Sequence, residues 1–168
     1  VYTGGFNAEY GGRISSIMDI NTIDGNKKNL SGKVSANTFG SKIFLEGPVT
    51  KGKSSFIVSA KNSYLDKTSN YIYKDPILFF DDKGLPYSYF DLYGKLTFTS
   101  DNGSKINLFG FNFIDEVDYN NISKLNWNSS GIGSKFILIP GSSPVLIEGN
   151  FAYSSYNIFL DENSLPTR

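Results

Sequence analysis

The side chains that most often perform acid–base and metal chemistry are missing from this sequence. Its 168 residues include no histidine and no cysteine, so the commonest general base and any thiolate ligand are excluded. Catalysis would have to rely on carboxylates, lysine, tyrosine or serine, and no nucleophile with a base and an orienting group can be assembled from them. We therefore expect no enzyme, no cofactor and no metal site. A net charge of zero without a clustered basic face also argues against nucleic-acid binding.

Carboxylates remain as the possible ligands of a cation. The pattern Asp19-x-Asn21-x-x-Asp24-Gly25 only faintly resembles a calcium loop, because its ligand spacing is wrong and Leu30 occupies the twelfth position, where a glutamate is required. The pairs Asp81–Asp82 and Asp115–Asp118 could hold a cation in loops, but solvated loop carboxylates are their ordinary interpretation.

The elements that would position any site are predicted to be strands. No window longer than ten residues shows helical spacing of apolar residues, and no run approaches the ~18 apolar residues of a transmembrane helix. Hydrophobic residues make up 39% of the chain and aromatic residues 15%, so rings are abundant relative to aliphatic side chains. Transmembrane β-barrels place such rings in girdles at both membrane interfaces.

Alternating residues divide the chain into about seven strands after the first segment. The clearest alternation, in residues 89–100, places Leu92, Leu96 and Phe98 on one face, whereas Phe109 and its neighbours leave the faces of the next strand ambiguous. Tight connections are predicted at 50–53, 101–104 and 140–144, and long ones at 66–88 and 115–124. Short turns at one end and long loops at the other are typical of an up-and-down membrane barrel.

The opening sequence GGFNAEYGGRISSIMDINTIDGN resembles the end of the plug domain of TonB-dependent outer-membrane receptors of the Bacteroidota type. The following stretch, with EGPVTKGKSSF at positions 46–56, resembles the opening barrel strands of that family. The resemblance implies an all-β chain in which residues 1–28 end the plug with its last strand. Residues 29–168 would then begin an antiparallel barrel of the 22-stranded type, in a fragment of a longer protein.

The resemblance also implies a function. The protein would import a ligand across the outer membrane of a Gram-negative bacterium, with the plug gating the barrel lumen. Its partners would be outer-membrane lipid and the TonB complex, reached through a segment absent from this chain. A surface lipoprotein or other outer-membrane subunits would be further partners. In such receptors plug arginines pair with carboxylates of the wall, so the plug–barrel contacts are predicted at Glu9, Arg13, Glu46 and Glu148.

Two further sets of residues are assigned by position. The polar faces of the strands would line the lumen, which predicts that Lys33, Asp91 and Lys95 face inward together with the two wall glutamates. A ligand or partner would meet aromatic residues of the long loop, although the same rings could simply cluster over the barrel mouth. These loop residues are Tyr71, Tyr73, Phe79, Phe80 and Tyr87.

Two other functions remain open from the sequence. The same barrel could be a structural or docking subunit of a larger outer-membrane complex, and a soluble or surface β-sandwich adhesin would show similar alternation. Another polypeptide in the outer mouth of the barrel would favour the docking subunit, and apolar faces buried between two sheets would favour the sandwich. Because seven strands cannot close a 22-stranded barrel, the receptor hypothesis predicts an open sheet rather than a compact closed domain.

Overall fold

The computed structural model describes residue 16 and residues 20–72, 86–119, 123–141 and 144–162. Within these ranges the chain forms seven strands and one short helix. In chain order the elements are β1 (Ser31–Ala36), β2 (Gly40–Thr50), β3 (Ser54–Ser63), α1 (Leu65–Ile72), β4 (Tyr87–Thr99), β5 (Lys105–Tyr119), β6 (Ser123–Leu138) and β7 (Ile147–Glu162).

The seven strands form one antiparallel sheet in the order β1-β2-β3-β4-β5-β6-β7, so each strand pairs with its neighbours in sequence. This arrangement confirms the predicted all-β, up-and-down meander. The sheet is open, because within the described residues β1 and β7 each pair on one side only.

Two of the tight turns have the geometry that their glycines predict. Gly52 between β2 and β3 has a φ of 79°, and Gly103 between β4 and β5 has a φ of 86°. Residues with a side chain rarely adopt such angles, which explains glycine at these positions. The Asn102 side chain supports the second turn by accepting a hydrogen bond from the Ser104 amide at 3.0 Å.

The connection between β5 and β6 is shorter than predicted. β5 extends to Tyr119 and β6 begins at Ser123, so the expected long loop at 115–124 is mostly strand. One acidic residue of this stretch has a basic partner across the hairpin. The Lys124 ammonium lies 2.9 Å from Glu116 Oε1. Of the two predicted long connections, only the one between β3 and β4 remains, and it contains α1.

The described part of the first segment contains no regular strand between residues 20 and 30. The prediction of a last plug strand is therefore not met within these residues. Helix α1 was also not predicted. It begins immediately after Tyr64, whose hydroxyl contacts the carbonyl oxygens of Asn37 and Gly40 and so fastens the β3–α1 junction to the β1–β2 connection.

The two faces of the sheet differ in what lies on them. One, which we call the apolar face, carries exposed apolar side chains from every strand. They include Val34, Ile43, Leu45, Val58, Leu92, Leu96, Phe98, Ile106, Leu108, Ile132, Phe151 and Tyr153. The opposite face, which we call the docking face, carries many of the charged residues of the sheet and is covered in part by residues 20–28.

Strand pairing resolves the ambiguity in β5. Ile106 and Leu108 pair with Phe98 and Leu96 and therefore lie on the apolar face. Phe109, like Phe111 and Phe113, has the opposite parity and lies on the docking face.

The sheet has almost no apolar core of its own. Among the described residues Ile57 is the only buried hydrophobic side chain, at 3% exposure. A free-standing soluble domain buries most of its large apolar side chains, so this sheet needs a cover over its apolar face.

Candidate functional site

The best-defined polar site lies where residues 20–28 meet the docking face. Asp24 is its centre: its Oδ1 lies 3.1 Å from Lys95 Nζ, and its Oδ2 lies 2.5 Å from Lys105 Nζ. β4 supplies the first lysine and β5 the second, so one carboxylate joins the segment to two strands. The Thr97 hydroxyl, 3.3 Å from Asp24 Oδ1, completes the contact.

Lys95 is the buried member of this site, with 6% of its side chain exposed. Its ammonium has three protons to donate. Besides Asp24 Oδ1, it contacts the carbonyl oxygens of Thr22 at 2.8 Å and Ile23 at 3.1 Å. These three acceptors satisfy the ammonium, which explains how a lysine can be buried on this face.

Further contacts extend the docking along the segment. The Asn26 amide donates to Glu46 Oε2 at 3.0 Å, and Lys27 Nζ donates to Thr99 Oγ1 at 2.7 Å. The Gly52 amide donates to the Lys27 carbonyl at 3.0 Å, which joins the segment to the β2–β3 turn. The segment is thus held through both side chains and backbone.

Gly25 allows the segment to approach the sheet closely. A Cβ atom at this position would lie 2.3 Å from the Phe56 carbonyl oxygen, which is a backbone atom and cannot easily move. Gly25 is not among the described glycines with a positive φ. Gly25 is therefore a point of contact with the sheet, and glycine is needed there because a side chain would not fit.

The pKa of Asp24 lies below its ordinary value of 3.8. Partial burial by itself raises the pKa, but hydrogen bonds and charge attraction from Lys105 and Lys95 outweigh that effect. The carboxylate is thus ionised at neutral pH, and its two ion pairs contribute to docking there and are lost only as the pH falls below 3.8.

A buried hydroxyl beneath the segment lacks a partner. Ser55 has 0% exposure, and its Oγ makes no hydrogen bond in the described structure. Its cross-strand neighbour Thr97, at 1% exposure, is also 2.9 Å from Asn107 Oδ1.

We expect Ser55→Ala to leave the free energy of unfolding unchanged or slightly higher, because it removes an unsatisfied polar atom. Thr97→Val, a matched loss of a hydroxyl, should lower it by about 1–2 kcal/mol. Reversible urea unfolding would measure the free energy of unfolding of both variants. An equal loss in the two variants would show that Ser55 has a partner after all.

The predicted plug–barrel residues have different outcomes. Glu9 and Arg13 lie outside the described residues. Glu46 does contact the first segment, but through the Asn26 amide. Glu148 lies 3.5 Å from Lys135 of the neighbouring strand, an ion pair within the sheet.

Lys33, Asp91 and Lys95 lie on the docking face together with Glu46 and Glu148, as strand pairing shows. That this face lines a barrel lumen stays a prediction. Asp91 pairs with Lys61 at 3.4 Å. The structure thus brings Lys95 and Glu46 to residues 20–28, and it adds Asp24, Thr97 and Lys105, which the sequence analysis did not assign to a plug–barrel contact. Parity places Thr97 and Lys105 on this face, whereas Asp24 lies outside any strand and has no such signal.

The predicted loop contacts fall mostly outside the described structure. Tyr73, Phe79 and Phe80 lie outside the described residues, and Tyr71 has a described backbone within α1. Tyr87, expected in the loop, is instead the first residue of β4. Its hydroxyl donates a 3.0 Å hydrogen bond to Asp115 Oδ1.

Tyr87 belongs to a second site, which we call the Asp115 cleft, near the end of the docking face that is distant from the tight turns. The cleft has a volume of about 320 Å³. Its lining consists of Tyr87, Phe113, Asp115, Trp127, Ser129 and Tyr156. This volume and the mixture of rings with one carboxylate are typical of small-molecule sites.

No group of three or more acidic side chains in the described ranges could hold a metal ion. Asp24 contacts two lysines, which argues against the faint calcium pattern. Asp115 and Asp118 have opposite parity on β5, so they point to different faces and cannot share an ion. Asp19, Asp81 and Asp82 lie outside the described residues.

Comparisons with protein-family models, curated proteins and solved structures returned no match for this chain. Within the described ranges, no helix has the length and apolar character to cross a membrane.

Proposed function

We propose that the chain is part of a TonB-dependent outer-membrane receptor that imports a ligand, with residues 20–28 at the junction of plug and barrel wall. One observation carries this proposal. A single open antiparallel meander exposes its apolar face, while the segment preceding it in sequence is docked on the opposite, polar face. A plugged barrel requires lipid on one face of its wall and a plug on the other.

The extent of the apolar face supports a lipid-facing role. On β4 its residues run from Phe90 to Phe98, and eight steps at ~3.3 Å give about 26 Å along the strand. With a strand tilt of ~40°, this corresponds to roughly 20 Å across the membrane. The apolar band of outer-membrane barrels is about 25 Å tall.

The upper edge of the apolar band crosses the strands obliquely. One row of directly paired residues is apolar on β1 to β4 and polar on β5 to β7. The row consists of Val34, Ile43, Ala60, Leu92, Asn112, Ser130 and Ser155. Strands that are tilted relative to a flat lipid layer produce this pattern, because a row perpendicular to them rises out of the layer. Tyr153, just below Ser155, lies at the edge where aromatic girdles occur.

The soluble sandwich explains these features less well. A sandwich buries the inner faces of two sheets against each other. The described residues supply one sheet, and the apolar side chains that would form such a core are exposed. The unpaired outer edge of β7 would pair with further strands of the barrel, because open edges do not occur in lipid.

The first experiment examines the native polypeptide in a detergent-extracted outer-membrane fraction, by gel migration with and without heating. We expect a chain several-fold heavier than 18.6 kDa that migrates faster before heating, as a folded barrel does. A mature 18.6 kDa chain in the soluble fraction would overturn the barrel. Capture of the extracted protein by the purified periplasmic domain of TonB would support energy coupling, and a folded barrel that this domain does not capture would favour a docking subunit.

A further inference from the structure

The Asp115 carboxylate is placed among aromatic rings by strand pairing. Tyr89 of β4 and Trp127 of β6 are its direct cross-strand partners, so all three side chains share the docking face. Phe113 precedes it on the same face of β5, and the Phe113 ring stacks on Phe111 with a centroid separation of 4.9 Å. Tyr87 and Tyr89 are also in contact, with centroids 5.9 Å apart.

No ion pair of the described structure involves Asp115. Two nearby lysines form ion pairs with other carboxylates: Lys61 pairs with Asp91, and Lys124 pairs with Glu116 on the other face. Its described polar contact is with the neutral Tyr87 hydroxyl. The negative charge of the Asp115 carboxylate therefore has no cationic partner among the described residues.

We propose that the Asp115 cleft binds an organic cation, in which an ammonium or guanidinium group pairs with Asp115 and lies against the Trp127 ring. The inference rests on the proposed receptor function and deepens it by naming a chemical class for the ligand. A small amine and the cationic side chain of a peptide share this chemistry.

Charge complementarity distinguishes this ligand from the other classes. An aromatic face attracts a cation through its quadrupole, with tryptophan the strongest of the rings. A carboxylate beside the ring adds a charge-assisted hydrogen bond. An anion would be repelled by Asp115, and a neutral hydroxylated compound would gain the hydrogen bond without the ion pair. The volume of about 320 Å³ limits the bound part to a small molecule or one side chain.

Fluorescence of Trp127, the single tryptophan of these 168 residues, provides the test. The extracted full-length protein is titrated with tetramethylammonium, with agmatine and with an arginine-containing tripeptide, and the signal of a Trp127→Phe variant is subtracted. We expect saturable binding of the cations and about tenfold weaker binding by Asp115→Asn. Asp118→Asn removes the same charge from the opposite face of β5 and should bind like the wild type. Preference for agmatine or for the tripeptide would identify the source of the cation.

Two results would overturn the inference. Equal affinities of Asp115→Asn and wild type would exclude an ion pair, and equal binding of tert-butanol or glucose would exclude selection for charge. Heat-dependent gel migration is followed in parallel for each variant. A folded barrel that binds no cation would reject the cation site alone, whereas loss of heat-dependent migration by the wild type would reject the proposed barrel itself.

Discussion

Phe151→Lys should destabilise the full-length protein in a bilayer by about 2 kcal/mol, because it places an ammonium inside the lipid-facing band. Phe151 lies on the apolar face of β7 between Gly149 and Tyr153, and 63% of its surface is exposed. In a water-exposed sheet, exchanging such a residue for lysine would change stability by no more than about 0.5 kcal/mol. The two environments therefore predict different outcomes for one substitution.

The neighbouring position offers a matched control. Asn150 is also exposed on β7 but points to the docking face, so Asn150→Lys adds the same charge where water or a plug is expected. Reversible urea unfolding in phospholipid vesicles would measure both variants. If Phe151→Lys is as stable as Asn150→Lys, the apolar face does not meet lipid and the receptor proposal fails.

Lys95→Met should release residues 20–28 from the sheet. The substitution leaves the carbonyl oxygens of Thr22 and Ile23 without their donor and removes one of the two ion pairs of Asp24. Removing one partner of a buried ion pair lowers the stability by about 3 kcal/mol. Hydrogen exchange of the 20–28 amides in the full-length protein should consequently become roughly a hundredfold faster.

Lys33→Met is the control, because it removes an exposed lysine from β1 on the same face. Exchange at 20–28 should be unchanged in that variant. Acidification provides a second test in the wild type. Since the folded-state pKa of Asp24 is lowered from 3.8, protection should persist from about pH 8 to about pH 4 and decline only as the pH falls further. Equal exchange in both variants would mean that the segment stays docked without the Lys95 contacts.

Local rules predicted much of the fold. The alternation of Leu92, Leu96 and Phe98 placed these residues on one face because side chains alternate along any strand. The Asn102-Gly103 pair predicted a hairpin turn because glycine tolerates the positive φ that the turn requires. Neither prediction needs knowledge of the neighbouring strands, and the structure confirms both.

The predicted lengths of the connections were less successful. Asp115 and Glu116 belong to the long connection that was predicted at 115–124. In the structure they are strand residues, with Glu116 paired to Lys124 across the β5–β6 hairpin. The same misassignment hid the Asp115 cleft, whose rings come together only when β4, β5 and β6 are in register.

The sequence by itself determined the strand number, the meander order and the parity of most strands, because these follow from side-chain alternation and turn chemistry within short windows. Only the tertiary structure decided which charges meet. Asp24 contacts Lys95 and Lys105 across 71 and 81 positions of sequence, and Asp115 lies between Tyr89 and Trp127 through two pairing registers. Such contacts depend on hydrogen bonding between several strands at once. A shift of the pairing register by one residue would move every side chain of the shifted strand to the other face.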